Sequence, residues 1–261
     1  MEGFIYPNEA EVAWSVNIAI YTYITGLVAG AFVISALYHV FSIHSLRPVA
    51  RFSLLASLAF LLVAPLPLLF HAGRPERAPI NMLFTPHLTS AMAAFGFIWF
   101  SYLVLVVAEV LLVFRRDLVR YFRSTKSLLR WVYWALLLGI EDPSEESLAS
   151  GERIVRVLAF VGIPGAMLLH GYVGFIFGGI KAMPWWSTPL MPVIFLLSAI
   201  VSGIALVIVL YTVSGLLRGK GVDHSTLAAL SRWLLGFLAL DVTLEPREVV
   251  SMAYEAEERW E

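Results

Sequence analysis

The side chains able to do chemistry in this sequence are few, and they gather at one level of the chain. His71 closes an apolar run and opens HAGRPER, which carries Arg74, Glu76 and Arg77; His87 and Ser90 follow in PHLTS. Asn17 and Tyr21 stand early in the first apolar segment, His170 and Tyr172 inside another, and Asp241 and Glu245 near the end of the last. Asn, His and Tyr donate hydrogen bonds, while His, Asp and Glu relay protons. Such a set suits a quinone, whose two carbonyl oxygens need donors, whose reduction needs two protons, and whose isoprenoid tail arrives sideways from lipid. The chain has no cysteine, so it holds no thiolate-ligated iron–sulfur cluster, covalently attached haem, zinc–thiolate site or disulfide. No bound metal or haem is expected, and electrons must come from a partner's cofactor.

The elements that position these residues are bilayer-length. With 59 % hydrophobic and 14 % charged residues in 261, the composition is that of an integral membrane protein. Apolar windows of about 20 residues fall at Trp14 to Phe41, Phe52 to Phe70, Thr89 to Phe114, Val155 to Ile180, Pro189 to Leu217 and Leu227 to Leu244. The expected fold class is all-α: a polytopic membrane helix bundle of six spans in one domain, 1–261. One short interfacial helix is expected within Ser127 to Ile140, too short to cross and rich in tryptophan. The opening MEGFIYPNEAEVAW is acidic and lacks a small-residue cleavage site, so the first span is expected to stay. Gly26 with Gly30, and Gly174 with Gly178, are small-xxx-small pairs that let helices approach.

Charge sets the orientation. Most of the 18 basic residues, among them Arg47, Arg51, Arg115, Arg116, Arg120, Arg123, Arg153 and Arg156, share one side if the N-terminus is extracytoplasmic, and the opposite side keeps Arg74, Arg77, Lys181, Arg247 and Arg259. The positive-inside rule favours that topology. It puts His71, His170, Asp241 and Glu245 at the outer level, where HAGRPER and its prolines form a rigid surface loop over the pocket. An ionisable group in hydrocarbon costs several kcal/mol unless paired, neutral or hydrated, so a convergent set points to function. Plainer readings stand beside it: His71 and Arg74 as headgroup-level caps, His170 as a packing histidine, Trp185 and Trp186 as an aromatic belt. Residues 170 and 172 lie about 200° apart on a regular helix, so His170 and Tyr172 do not both face one pocket. Toward the arginine-rich side the spans read as almost purely apolar; Glu109 there reads as structural, snorkelling to the surface. Net charge says little about partners, and beyond membrane lipid none is implied by it; nucleic acid is not expected.

The phrases IYPNEAEVAWSVNIAIYTYITGLVAGAFVISALYHVF, LFHAGRPERAPINMLFTPHLTSAM and HGYVGFIFGGIKAMPWWSTPLMPVIFLLSAIVSGIAL resemble the NrfD/PsrC family of polysulfide-reductase-type membrane subunits. The resemblance implies a subunit without bound redox cofactors in a prokaryotic cell membrane. It would exchange electrons between menaquinone, or another quinone, and a four-cluster ferredoxin-like iron–sulfur subunit that serves a molybdopterin catalytic subunit. It also implies a Trp-x-x-Asn motif, matched by Trp14 and Asn17, and a quinone-contacting tyrosine, matched by Tyr172. Where the family has its next quinone-contacting histidine this chain has Ile20, beside Tyr21, and its acidic loop residue falls near Gly73, flanked by His71 and Glu76. On this reading His170, His71, Asp241 and Glu245 carry protons; Asn17, Tyr21, Tyr172, His87 and Ser90 bind quinone; Arg74, Glu76 and Arg77 dock the iron–sulfur partner. Family members carry eight or more spans against six here, which leaves open a fragment or a helical segment on a separate polypeptide. Two other readings remain open: a haem b anchor, using two of His71, His87 and His170 as axial ligands, and an ion- or proton-translocating protein.

The topology is testable, because the cysteine-free chain accepts single cysteines at will. Cysteines at positions 9 and 257 are expected to react with an impermeant thiol reagent from the extracytoplasmic side. Protection of both, with labelling at position 127 instead, would reverse the orientation.

Overall fold

The computed structural model describes residues 14–71, 73–77, 80, 84, 91–139, 144–180, 183, 186–219 and 221–254. Its helices are α1 (Val16–His39), α2 (Arg47–Val63), α3 (Pro65–His71), α4 (Ala91–Val113), α5 (Arg115–Ser124), α6 (Leu129–Leu136), α7 (Glu145–Gly178), α8 (Met191–Leu217) and α9 (His224–Tyr254). No strand occurs among the described residues. Six stretches are long and apolar enough to cross a bilayer: Val16–His39, His44–His71, Ala93–Val113, Glu146–Gly178, Met191–Leu217 and His224–Arg247. They coincide with the six apolar windows of the sequence. The expected interfacial helix is α6, whose Leu128, Trp131 and Trp134 flank is largely exposed.

Most of α1 is buried, while the other spans bury a third or less. The reason lies in its composition, since Gly26, Ala29, Gly30, Ala31 and Ala36 leave little side chain on any face. Helices α2, α7 and α8 therefore pack along it, with α4 on α7 and α9 on α8. Lipid tails are as apolar as leucine, so close van der Waals contact rather than a hydrophobic drive selects such interfaces. At the α1/α8 crossing a Cβ on Gly30 would lie 2.2 Å from the Ala199 carbonyl oxygen and 2.7 Å from Gly203 Cα. On α7, a Cβ at Gly162 would strike the Phe32 ring at 2.2 Å, and one at Gly165 would crowd the Tyr102 ring at 3.0 Å. Gly174 and Gly178 leave room in the same way for the backbone at 186–192.

Backbone groups in hydrocarbon must find partners inside the protein. The second span breaks at Ala64 because Pro65 has no N–H to give the Leu61 carbonyl four residues back. Trp99 of α4 fills that place: its Nε1–H donates to the Leu61 oxygen at 3.1 Å. One further turn along α2, the Ser57 hydroxyl donates to the Val28 carbonyl of α1 at 3.0 Å. At the arginine-rich end Arg51 lies over the Phe114 ring, 4.1 Å from its centroid, and pairs with Asp117. Helix α9 starts at Asp223, whose carboxylate accepts from the Thr226 and Ser225 hydroxyls and from both their amides. Those bonds hold its carboxyl down to about 2. A folded value below the unfolded one means that the cap's contribution is present above the ordinary carboxylate range and is lost as pH falls through about 2.

Glu109 is corrected by the structure. It does not snorkel; it is fully buried, and neither carboxyl oxygen has a hydrogen-bond partner among the described residues. The arginine-rich half is not purely apolar either, because Ser35, Ser53 and Ser57 are also fully buried there. Hydropathy averaging hid these residues, since a lone polar side chain in an apolar window does not reveal which way it faces.

Replacing Trp99 by Phe should orphan the Leu61 carbonyl and lower stability by about 1–3 kcal/mol. Pro65→Ala in the same chain should return part of that loss, because the substituted alanine brings the missing N–H. Denaturant unfolding in detergent micelles measures both; additive effects of the two substitutions would refute the link.

Candidate functional site

At the end of the bundle opposite the arginines, α1, α8 and α9 diverge around a cleft of about 280 Å³. Its polar lining is Thr22 and Tyr23 of α1, His170 of α7, Ser198 and Ser202 of α8, and Glu245 of α9. His170 is 5 % exposed, its ring 5.4 Å from that of Phe195. Gly26 makes this possible, for a Cβ there would sit 3.1 Å from His170 Cε1 and 3.3 Å from Nε2. The glycine read as a packing residue thus also seats the imidazole.

Hydrogen bonding holds the His170 ring in place. Thr25 has one hydroxyl hydrogen, and the 2.8 Å contact to the Thr22 carbonyl takes it. The same oxygen lies 3.2 Å from His170 Nδ1, and the ring also meets the main chain of Phe195, so α1 and α8 together hold the imidazole beside Gly26 and the cleft. Thr22 likewise gives its hydrogen to the Ala19 carbonyl at 2.8 Å, and Ser202 to that of Ala199 at 3.1 Å. With the Glu245 carboxyl these groups offer acceptors to the cleft, and the Tyr23 and Ser198 hydroxyls add donors. The site complements a ligand that makes hydrogen bonds through hydroxyl or carbonyl oxygens.

Of the residues expected from the sequence, His170 and Glu245 meet in this cleft. Asp241 lies one turn from Glu245, 6 % exposed, with Oδ1 lacking a hydrogen-bond partner among the described residues. Tyr21 is on the far side of α1, edge-on to Phe95 of α4 at 5.3 Å, and Asn17 shares that face one turn earlier. Tyr172 points away from His170, as helical spacing required, and its ring lies 5.5 Å from Phe175. His71 Nδ1 is 2.8 Å from the Ser15 hydroxyl and does not line the cleft, so the structure does not bring His71 and His170 into one cavity. Arg74, Glu76 and Arg77 are exposed on a short 3-10 turn, with the Arg77 N–H donating to the Arg74 carbonyl at 3.1 Å. His87 and Ser90 lie outside the described residues. Among the described residues no group of three or more His, Asp or Glu could hold a metal ion.

The sequence reading missed Thr22, Tyr23, Thr25, Ser198 and Ser202. A signal for two of them existed, because Ser198 and Ser202 are four apart and so share one helical face in the long apolar run of α8. Nothing local pairs Thr25 with a histidine 145 residues away.

Comparison with known proteins places this geometry in a family. The family model described as polysulphide reductase, NrfD, matches residues 6–254. A selenate reductase subunit of Mesobacillus selenatarsenatis is 30 % identical over 237 residues, 89 % of this chain and 55 % of that protein. A putative membrane subunit of dimethyl sulfoxide reductase from Halobacterium salinarum is 29 % identical over 88 % of this chain and 50 % of its own length. Protein NrfD of Escherichia coli is 27 % identical over 82 % of this chain and 63 % of its length. The chain thus spans 50 to 63 % of these relatives. With six helices able to cross a bilayer and a family match over nearly its whole length, this multi-pass membrane protein belongs to the NrfD polysulphide reductase family.

Proposed function

We propose that the chain is the quinol-reactive membrane subunit of a respiratory reductase complex, passing electrons from the quinone pool to a ferredoxin-like iron–sulfur subunit of four clusters. That subunit would in turn feed a molybdopterin catalytic subunit. One observation carries the reading: a cleft of headgroup size brings together His170 and Glu245, two side chains able to carry protons, from different helices and among several hydroxyls. A quinol bound there supplies two hydroxyl protons and two electrons. His170 accepts one of these protons while its contact with the Thr25 hydroxyl keeps the ring in one orientation throughout. Glu245 is at the solvent end of α9 and exposed, so protons taken up in the cleft leave by that side. The volume of about 280 Å³ lies just under the usual range of about 300–1,000 Å³ for small-molecule sites. It fits a headgroup, with the isoprenoid tail left in lipid beside the half-buried Ile194 and Phe195.

The relatives' names agree with this direction of flow, as two of the three belong to subunits of reductases. Arg74 and Arg77, exposed on their turn at the His71 end, suit pairing with carboxylates of the iron–sulfur partner. Menaquinone is the quinone this reading favours, and an extracytoplasmic N-terminus puts the cleft and the docking turn on the partner's side.

His170→Ala in an assembled complex should slow quinol-dependent turnover by about a hundredfold or more, the usual effect of losing one proton carrier, with the partners still bound. Quinol oxidation at the wild-type rate would remove His170 from the mechanism. Gly26→Ala adds a methyl group against Cε1 and Nε2 and should raise the quinol KM while leaving complex assembly intact. A wild-type KM in that variant would mean that the ligand binds elsewhere.

A further inference from the structure

A second cleft, of about 520 Å³, opens at the other end of the bundle. Arg47, Arg51, Arg115, Arg116, Arg156 and His39 line it, with Asp117 and Glu152 as its counter-charges. Val113 of α4 is also in its wall, and Glu109 stands one turn deeper on the same helix, about 6 Å along the axis. Several buried polar atoms in this half lack hydrogen-bond partners among the described residues: both Glu109 carboxyl oxygens, the Ser35 hydroxyl and Nε2 of the half-buried His39.

Their arrangement follows from one contact. The Phe32 and Tyr102 rings meet edge to face at 5.6 Å, and α1 and α4 run in the same direction because a single span separates them. His39 is seven residues beyond Phe32, and Glu109 seven beyond Tyr102. Each step is about two turns, some 10 Å, and returns to the same helical face. His39 and Glu109 therefore lie at one depth on facing sides of the bundle, His39 in the cleft wall and Glu109 behind it. An ionised carboxylate without a partner in a membrane interior costs several kcal/mol, and binding a proton removes that cost. A group that bears a proton next to a charged, hydrated cleft can exchange it.

We propose that Glu109 is a proton-exchange site loaded from the arginine-rich cleft through His39. The carboxyl gives its proton to the His39 imidazole, which releases it to the cleft, and is reprotonated by the same route in reverse. The site stands apart from the His170 cleft and is independent of what binds there. If quinol is oxidised there, Glu109 gives the bundle a protonation site on the opposite side.

Infrared difference spectroscopy of the full chain in lipid, transferred between H2O and D2O, tests this without quinone or partners. The expected signal is a protonated-carboxyl C=O band that shifts on deuteration, disappears in Glu109→Gln and persists at a changed frequency in Glu109→Asp. His39→Leu should slow the deuteration of that band at least tenfold. Labelling of the wild-type chain by dicyclohexylcarbodiimide, which attacks protonated carboxyls in apolar surroundings, should map to Glu109 by mass spectrometry and supports the assignment even if Glu109→Gln does not fold. Absence of both band and label overturns the proposal, and so does deuteration at an unchanged rate in His39→Leu.

Discussion

The crossing of α1 and α8 at Gly30 and Gly203 is the contact on which the other helices depend. Gly203 and Gly30 approach so closely that a Cβ on Gly203 would lie 2.4 Å from Gly30 Cα, leaving no room for any side chain at either position. In a bilayer, where apolar surface gains little by leaving lipid, such backbone contact is the main attractive term available. It fixes α8 against α1, and α8 in turn carries α9 and one wall of the cleft. Gly26, one turn from Gly30, continues the same small-residue stripe and opens the space that His170 occupies. Packing and site are thus two uses of one row of glycines.

Hydrogen bonding imposes the second constraint. Proline within a span would leave a carbonyl unpaired in hydrocarbon, yet the second span contains Pro65 and remains packed against its neighbours. The Trp99 indole and the Ser57 hydroxyl each donate across helices to main-chain carbonyls, so α4, α2 and α1 are tied by specific bonds as well as by fit. The Thr22, Thr25 and Ser202 hydroxyls at the His170 cleft donate to carbonyls of their own helices and keep their lone pairs for other partners.

The two ends of the bundle have different chemistry. One holds the His170 imidazole, the Glu245 carboxyl and several hydroxyls in a narrow cleft, the other a wide cleft of arginines above a buried carboxyl. At the arginine-rich end charges pair across helices, through Arg51 with Asp117 and Arg116 with Glu152. Electrostatic asymmetry of this kind orients a membrane protein.

What the sequence determined by itself was whatever depends on averages or on fixed spacing. The six spans follow from runs of apolar residues. The divergence of His170 and Tyr172 follows from the helical period, and the two glycine pairs from their four-residue separation. What it left undetermined was rotation. In α1, α4 and α8 apolar residues surround the helix on every side, so periodicity marks no buried face, and the direction of each polar side chain is set by the neighbours that pack there. Tyr21 faces Phe95 instead of His170, Glu109 faces inward instead of reaching the surface, and Thr25 meets a histidine 145 residues away. Tertiary structure decided these because a uniformly apolar helix gains almost nothing by turning one side rather than another to lipid, whereas a glycine placed against a carbonyl admits only one rotation.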